Sequence, residues 1–249
     1  MLFRSDLANL LESLRPREDV RVVVLTGTGE HFLTARRREH YDSAKTVAGR
    51  VQPRELWHTF TGILRIHEAL VQLEKPVIAA VNGFAMGGGF MLVERTDLRL
   101  AVREAVFEVS EAKRWLLGGY NHGHIANLPY PIAMEMALGF RFTAQRFHEI
   151  GFLNRLVDAA DLMPEALRMA EHLLTLPPAA RVNTVHMMRQ MRPAPAPDLQ
   201  KLAAALHEHG AKSDLMESRA AFAEKRKPNF KGWNDPEDRY KLPTLDSIK

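Results

Sequence analysis

The segment from Pro76 to Val93 constrains the fold more than any other part of the chain, because it is a long stretch without Asp, Glu, Lys or Arg that also contains three consecutive glycines. It begins with a run of small and β-branched apolar residues, continues through Asn82-Gly83, and reaches three consecutive glycines at 87–89. A polar asparagine and four glycines are poorly suited to a membrane span. The segment therefore predicts a buried strand, a turn, and a helix that begins at the glycines.

Similar strand and helix signals occur on either side of this segment. The run from Val20 to Leu25 predicts a buried strand that ends in a glycine turn, and residues 97–102 and 106–109 predict two further strands. A helix is predicted at 53–73, and a short helix capped by Ser5 would place Leu7, Leu10, Leu11 and Leu14 on one face. This alternation predicts a parallel α/β core through about residue 160.

Beyond that core the pattern predicts only helices. Their expected bounds are 164–176, 179–191, 198–209 and 214–227, and Pro228 would end the last of them. We therefore predict three parts of the chain: a core over residues 1–190, a C-terminal helical region over 191–231, and a polar tail over 232–249.

The glycine triplet has a physical consequence of its own. Glycines after a buried strand allow a close approach of the backbone to a ligand, and the first amides of the following helix have no acceptor within the helix. Those amides and the helix dipole favour negative charge. The alternative is that the glycines only allow close packing between the helix and a strand.

Composition excludes several kinds of chemistry. The chain has no cysteine, so it has no disulfides, thiolate metal sites or thiol catalysis, as expected for a cytoplasmic protein. No signal peptide is visible at the N-terminus. The net charge of +4 is spread along the sequence, which favours a solvated basic surface over a dedicated polyanion site.

Four segments of the chain together resemble the crotonase (enoyl-CoA hydratase/isomerase) superfamily. They are residues 20–29, residues 75–89 followed by Asp97-Leu98-Arg99, residues 133–156 and residues 221–226, and they occur in the order typical of that family. The resemblance implies an α/β fold, with a crotonase-like ββα spiral core and a C-terminal helical trimerisation region. It also implies an acyl-CoA substrate, no separate cofactor, and a homotrimer or dimer of trimers.

The resemblance further implies that two backbone amides, of Arg36 and Gly88, form an oxyanion hole for the thioester oxygen. The loop before Arg36 departs from the family pattern, since Ala35 stands at the usual glycine position and Arg37 at the usual acidic one. The Arg36 amide remains a donor, because every non-proline residue carries one. The arginines at 36–38 would contact the CoA phosphates or form a solvated basic loop.

Hydratases of this family use two glutamates to hold and activate water, and here only one of them is present. Met91 occupies the first position and Glu111 the second. A single carboxylate is suited to moving a proton between carbons of an enoyl chain, so we predict Glu111 as the catalytic residue of an isomerase or an atypical hydratase. Glu94, one helical turn after Met91, is a secondary candidate whose alternative role is a salt bridge.

The loop after Glu111 also differs from the family. Tyr120 and His122 are secondary candidates, because decarboxylases and carbon–carbon hydrolases of the superfamily use such groups in place of the glutamates. Polar loop histidines bonded to backbone are the alternative. His122 and His124 lack a third ligand, so we expect no metal site. On the C-terminal helix, Phe222 and Lys225 resemble the residues that a family trimer offers to the CoA of an adjacent subunit.

Two alternatives come from other classes of protein. Met91, the irregular first loop and the expected lack of the family's N-terminal β-hairpin would also suit a catalytically silent scaffold. The basic residues at 36–38 would suit an RNA-binding homologue. The leading prediction is an acyl-CoA enzyme that has neither a membrane nor a nucleic acid as a partner.

Overall fold

The strand predicted at the start of the segment from Pro76 to Val93 is present and lies inside a parallel sheet. The computed structural model of the chain describes residues 2–33, 65–114, 117, 119–230 and 242–248. In these residues eight strands form two four-stranded sheets. In chain order the strands are β1 (Val23–Thr26), β2 (His31–Leu33), β3 (Val77–Val81), β4 (Phe84–Met86), β5 (Leu98–Val102), β6 (Val106–Glu108), β7 (Arg141–Thr143) and β8 (Arg155–Val157).

The helices follow the predicted alternation and then the predicted helical run. In chain order they are α1 (Leu2–Leu14), α2 (residues 65–72), α3 (Gly88–Arg95), α4 (His122–Ile125), α5 (Tyr130–Ala137), α6 (Ala144–Glu149), α7 (Leu162–Thr175), α8 (Pro178–Gln190) and α9 (Pro197–Ala223). The predicted helix at 53–73 is described only from residue 65 onward.

The first sheet has the strand order β1-β3-β5-β8, and all of its pairs are parallel. All five residues of β3 are buried, which explains why its sequence is a continuous apolar run without alternation. Helix α7 packs against β1, β3 and β5. The predicted strand over 20–25 is shorter and later than expected, because only its end pairs with β3, where Val23 lies opposite Val77.

The second sheet carries the elements around the glycine triplet. Its order is β2-β4-β6-β7, with a single antiparallel pair, β6 with β7. Beneath it lies a cluster of phenylalanines in which Phe90 of α3 stacks on Phe152 at 5.4 Å between ring centroids. Phe107 and Phe147 lie 6.3 and 6.0 Å from Phe90. Because Phe90 is fully buried, this cluster anchors α3 to the sheet.

Two helix predictions were wrong in their bounds. Helix α1 begins at Leu2, so Ser5 lies inside it and does not cap it. Its buried positions are Ala8 and Leu11, whereas Leu10 is 53% exposed, because successive helical residues point about 100° apart. The helices predicted at 198–209 and 214–227 are one helix, α9, which runs through Gly210 and ends at Ala223. A single interior glycine costs only about 1 kcal/mol, which a long helix tolerates.

The chain divides into two compact units. The first comprises residues 1–37, 51–108 and 141–192, and the second comprises 38–50, 109–140 and 193–249. Both sheets belong to the first unit. In the second unit α4 packs on α5, with Gly123 against Ala133, and a short 3₁₀ turn at Ala112–Arg114 contacts α9. The three-part division made from the sequence stays a prediction.

Within the described ranges, each helix is too short or too polar to cross a membrane.

Candidate active site

The turn from β4 into α3 is built by three glycines with different roles. Gly87 is the N-cap residue and has φ 52° and ψ −114°, a backbone conformation that residues with a side chain rarely adopt. Its amide donates to the Glu108 carbonyl at 2.9 Å, and its carbonyl accepts from the Met91 amide at 2.9 Å. The first bond joins the start of α3 to β6, and the second is the first bond of the helix itself.

Gly89 and Gly88 differ in their surroundings. A Cβ atom on Gly89 would lie 2.1 Å from the Leu33 carbonyl oxygen, so this glycine allows the close approach of α3 to β2. A Cβ atom on Gly88 would meet nothing within 4 Å. Gly88 is also the first residue of α3, where the amide has no acceptor within the helix. Packing therefore accounts for Gly89, whereas Gly88 carries a helix N-terminal amide and has open space where a side chain would stand.

Strand β2 leads toward the first predicted oxyanion loop. It runs parallel to β4, with His31 opposite Phe84 and Leu33 opposite Ala85. The contact between Leu33 and Gly89 places the end of β2 beside the first turn of α3. Arg36 and its two neighbouring arginines lie outside the described residues, so the second predicted donor stays a prediction.

Met91 and Glu94 lie in different environments on α3. Met91 is half-buried, as are Gly88 three residues before it and Arg95 four residues after it, whereas the intervening residues are buried. Met91 therefore lies on the same partly open face as Gly88. Glu94 is fully buried, with its Oε1 atom 3.9 Å from Arg95 Nε. This location favours the salt-bridge alternative for Glu94 over a role in proton transfer.

Glu111, the predicted catalytic carboxylate, belongs to the second unit. The residue is half-buried, and its Oε2 atom is buried with no hydrogen-bond partner among the described residues. A buried polar atom without a partner typically costs about 1–3 kcal/mol. Such atoms are uncommon in native proteins, and a catalytic role is one of the recognised reasons for them.

Tyr120, His122 and His124 follow Glu111 in the same unit. Tyr120 is 40% exposed, and its partial burial raises the pKa of its phenol. The His122 ring is buried and packs against Gly119, whose φ is 55°: a Cβ atom there would lie 2.4 Å from His122 Cδ2 and 2.4 Å from Val109 Cγ1. His124 is exposed. In the part of the chain that the structure describes, no three His, Asp or Glu side chains come together as metal ligands.

The predicted CoA-binding residues lie at the end of α9. Phe222 is in its last turn, and Lys225 follows the helix with φ 55° and an exposed side chain. The Glu217 carboxylate accepts hydrogen bonds from Arg226, at 2.5 and 3.0 Å, and from the Asn229 amide. These contacts lower the pKa of Glu217 to about 2 and hold the chain reversal in which Lys225 stands.

Replacing Glu217 with glutamine is expected to make the stability of this chain reversal less dependent on pH. The pKa of Glu217 is below its ordinary value of 4.5, so its contribution is present above about pH 4.5 and is lost as the pH falls toward 2. Amide hydrogen exchange of Arg226, Lys227 and Asn229 measures this loss. Wild type should lose protection across this range, whereas Glu217→Gln should be poorly protected throughout; Glu104→Gln, at another exposed glutamate, is the control. Equal protection in Glu217→Gln and wild type would contradict this assignment.

Comparisons with known proteins agree with this architecture. The sequence model of the enoyl-CoA hydratase/isomerase family matches residues 2–234. Carnitinyl-CoA dehydratase of Salmonella paratyphi A is 31% identical over 235 residues, which cover 88% of this chain and 85% of that protein. The structure of carnitinyl-CoA hydratase from Mycobacterium avium is 26% identical, with a TM-score of 0.71 over 92% of this chain and 87% of that chain.

A methylmalonyl-CoA decarboxylase solved in complex with 2-nitronate-propionyl-CoA shares the fold. It is 24% identical, with a TM-score of 0.72 over 93% of this chain and 88% of that chain. The α/β, crotonase-like fold predicted from the sequence is confirmed by these likenesses.

Proposed function

Because the chain belongs to the enoyl-CoA hydratase/isomerase family, we propose that it binds an acyl-CoA thioester and transfers a proton along the acyl chain through an enolate. Gly88 carries this proposal. Its amide stands at the N-terminus of α3, a side chain at this position would meet open space, and the neighbouring Gly89 is accounted for by packing. An amide in this position favours the negative charge that a thioester oxygen acquires as it becomes an enolate.

The second donor in the proposal is the amide of Arg36. Strand β2 ends three residues before it, in contact with Gly89. That contact supports a first loop that begins beside the first turn of α3. Two donors preorganised on one oxygen are the arrangement that stabilises an oxyanion most effectively, because they need no reorganisation during the reaction.

Glu111 is the proposed proton carrier. It would take a proton from C2 of a 3-enoyl-CoA, and the electron pair of the broken C–H bond would move toward the thioester oxygen to give a dienolate. The same carboxyl group would return the proton to C4, so that the double bond moves from C3–C4 to C2–C3. The buried Oε2 atom of Glu111, without a donor among the described residues, supports a role as a base.

Met91 distinguishes this site from a two-glutamate hydratase. A thioether accepts hydrogen bonds weakly and cannot take a proton from water at neutral pH. Met91 also lies on the partly open face of α3 that carries Gly88, the face where a first glutamate would be useful. This substitution favours isomerisation over hydration, although relatives of the chain are named hydratases and dehydratases.

A second candidate is decarboxylation of a malonyl-type thioester, which also passes through an enolate. The observation that favours it is the loop at 119–122, where the buried His122 ring packs against Gly119 and Tyr120 stays protonated at neutral pH. These residues would hold a substrate carboxylate, and the oxyanion hole would act as before. A carbon–carbon hydrolase would use the same loop.

A substrate panel distinguishes the reactions. Purified protein is incubated with 2-enoyl-, 3-enoyl- and malonyl-type CoA thioesters, and the products are separated by chromatography. We expect isomerisation of the 3-enoyl thioester. Turnover of the malonyl thioester alone would select the decarboxylase. Failure to retain any acyl-CoA would exclude the enzyme, leaving the silent scaffold or the RNA-binding homologue.

The proposed assembly is a homotrimer or a dimer of trimers. It rests on the resemblance of the chain end near Phe222 and Lys225 to residues that contact the CoA of an adjacent subunit. The exposed position of Lys225 after α9 supports such a contact. Sedimentation equilibrium measures the assembly, and a monomer that turns over substrate would contradict it.

Replacing Met91 with glutamate is expected to introduce hydration. The new carboxylate would stand one helical turn from Gly88 and supply the second group that orients and deprotonates water, so hydration of a 2-enoyl-CoA should rise at least about tenfold. Met91→Gln, which has the same shape without the base, is the matched control. Equal hydration by both variants would show that the absent carboxylate does not limit this reaction.

A further inference from the structure

Two arginines bind the carbonyl groups at the C-terminal end of α3, the helix whose first amide is Gly88. Arg99 of β5 donates through Nε to the Val93 carbonyl at 3.0 Å, and through Nη2 to the Glu94 and Thr96 carbonyls at 3.0 and 3.2 Å. These carbonyls belong to the last turn and C-cap of the helix, where the helix supplies few donors of its own; the Val93 carbonyl also accepts from the Thr96 amide at 3.2 Å. The Arg99 guanidinium therefore caps α3.

Arg192, which follows α8, binds the same helix end from another direction. Its Nη1 atom donates to the Arg95 carbonyl at 2.6 Å, and its Nη2 atom donates to the Thr96 carbonyl at 2.8 Å. Arg192 Nη2 also lies 3.2 Å from Asp97 Oδ1. Five charge-assisted hydrogen bonds from the two arginines thus reach the carbonyls at this helix end.

Asp97 links Arg99 and Arg192, which together form a clamp on the C-terminal end of α3, to the first sheet. Arg189 of α8 binds its carboxylate in a bidentate manner, at 2.9 and 2.6 Å, and the Val77 amide at the start of β3 donates to Oδ2 at 2.8 Å. Arg189 is also bonded to the Lys75 carbonyl at 2.9 Å. The segment after α3 is therefore tied to α8 and to the start of β3.

Because Arg99 and Arg192 are partly buried, their charges would be costly in free energy without the groups that accept their hydrogen bonds. Arg99 lies over the Phe152 ring at 4.5 Å, and burial together with the charge of Arg192 lowers its pKa to about 10, so it remains charged at neutral pH. Two partly buried cations close together are tolerated only when carbonyls and carboxylates surround them. The helix carbonyls, Asp97 and the charge of Glu94 provide that environment.

We propose that Arg99 and Arg192 are positioning residues for the oxyanion site, an inference that rests on the proposed function of Gly88. Helix α3 has eight residues and is only about 12 Å long, so a tilt at its C-terminal end is transmitted to the Gly88 amide. The Phe90 cluster and the contact of Gly89 with Leu33 hold the rest of α3, and the two arginines fix the direction of its C-terminal end. A misplacement of about 1 Å in a catalytic site can cost roughly 100-fold in rate.

The test compares the binding of two ligands, of which only one would place an oxygen in the oxyanion hole. One is 2-nitronate-propionyl-CoA, whose nitronate resembles an enolate, and the other is the thioether analogue of propionyl-CoA, which lacks the carbonyl oxygen. Calorimetry gives the ratio of the two Kd values for wild type, Arg192→Gln and Arg192→Lys. Arg192 is partly exposed, so it tolerates substitution better than Arg99, and Arg103→Gln, at the exposed ion pair with Asp158, is the control.

We expect wild type and Arg103→Gln to prefer the nitronate. Arg192→Gln should lower that preference about tenfold with the thioether Kd unchanged, and Arg192→Lys should recover part of it. For an isomerised substrate, kcat should fall at constant KM. An unchanged preference, or an equal loss for both ligands as expected of a purely structural residue, would overturn the inference. A wild type without any preference would instead contradict the proposed oxyanion hole, and the inference with it.

Discussion

Replacing Glu111 with glutamine is expected to lower kcat for 3-enoyl-CoA isomerisation by about 10²- to 10⁴-fold, the usual contribution of a positioned acid–base group. The KM for the thioester should change little, because the proposed donors to the thioester oxygen are backbone amides. Stability should not fall, since the Oε2 atom of Glu111 is buried without a hydrogen-bond partner among the described residues. Steady-state kinetics and thermal denaturation of the same preparations measure both effects.

Two other glutamates serve as controls for Glu111→Gln. Glu104→Gln, at an exposed position, should leave both kcat and Tm unchanged. Glu108→Gln removes the negative charge of a buried carboxylate that pairs with Arg141, so it should lower the Tm. If isomerase activity survives in Glu111→Gln, the proton transfer would be assigned instead to Tyr120, His122 or Glu94.

Replacing Gly88 with proline is expected to lower kcat by about 10²- to 10³-fold, because it removes the amide that would donate to the thioester oxygen. Gly88 is the first residue of α3, and proline is favoured at this position because the missing N–H has no partner within the helix. The variant should therefore fold, and its loss should appear in kcat with a smaller change in the binding of the CoA portion. Kinetics together with circular dichroism measure this prediction.

Alanine substitutions at the same triplet separate catalysis from packing. Gly88→Ala keeps the amide, and its methyl group meets no atom within 4 Å, so Tm should be retained and kcat should exceed that of the proline variant. Gly89→Ala places a methyl group 2.1 Å from the Leu33 carbonyl oxygen, which should cost about 1–3 kcal/mol of stability. A proline variant as active as the alanine variant would show that the Gly88 amide is not a donor.

Much of the fold could be predicted because its signals are local. The apolar run of β3 and the glycines that follow it are adjacent in sequence, and both appear where expected. The bounds of α1 and α9 were wrong for a related reason: a serine or a glycine has a local preference that packing along a long helix overrides. The strand predicted at 20–25 was likewise shortened by its pairing with β3.

The candidate site was less accessible to sequence reasoning. Gly88 and Gly89 are identical residues, and only the approach of Leu33 in three dimensions shows that one is needed for packing and the other is not. The clamp on α3 joins Asp97 to Arg189 and Arg192 across more than ninety residues of chain, and side-chain contacts at such separations leave no periodic pattern. Arg99 belonged to a recognised segment of the family, but its partners were not evident from it.

The most direct test of the account is the ¹³C chemical shift of the thioester carbonyl in a bound, saturated acyl-CoA, which cannot be isomerised. Donation from two backbone amides polarises the carbonyl, so the resonance should move downfield on binding to wild type. The shift should persist in Glu111→Gln, which keeps both donors, and should be largely lost in Gly88→Pro. The absence of a downfield shift when wild type is fully occupied by the ligand would contradict the oxyanion hole. An undiminished shift in Gly88→Pro would contradict it as well.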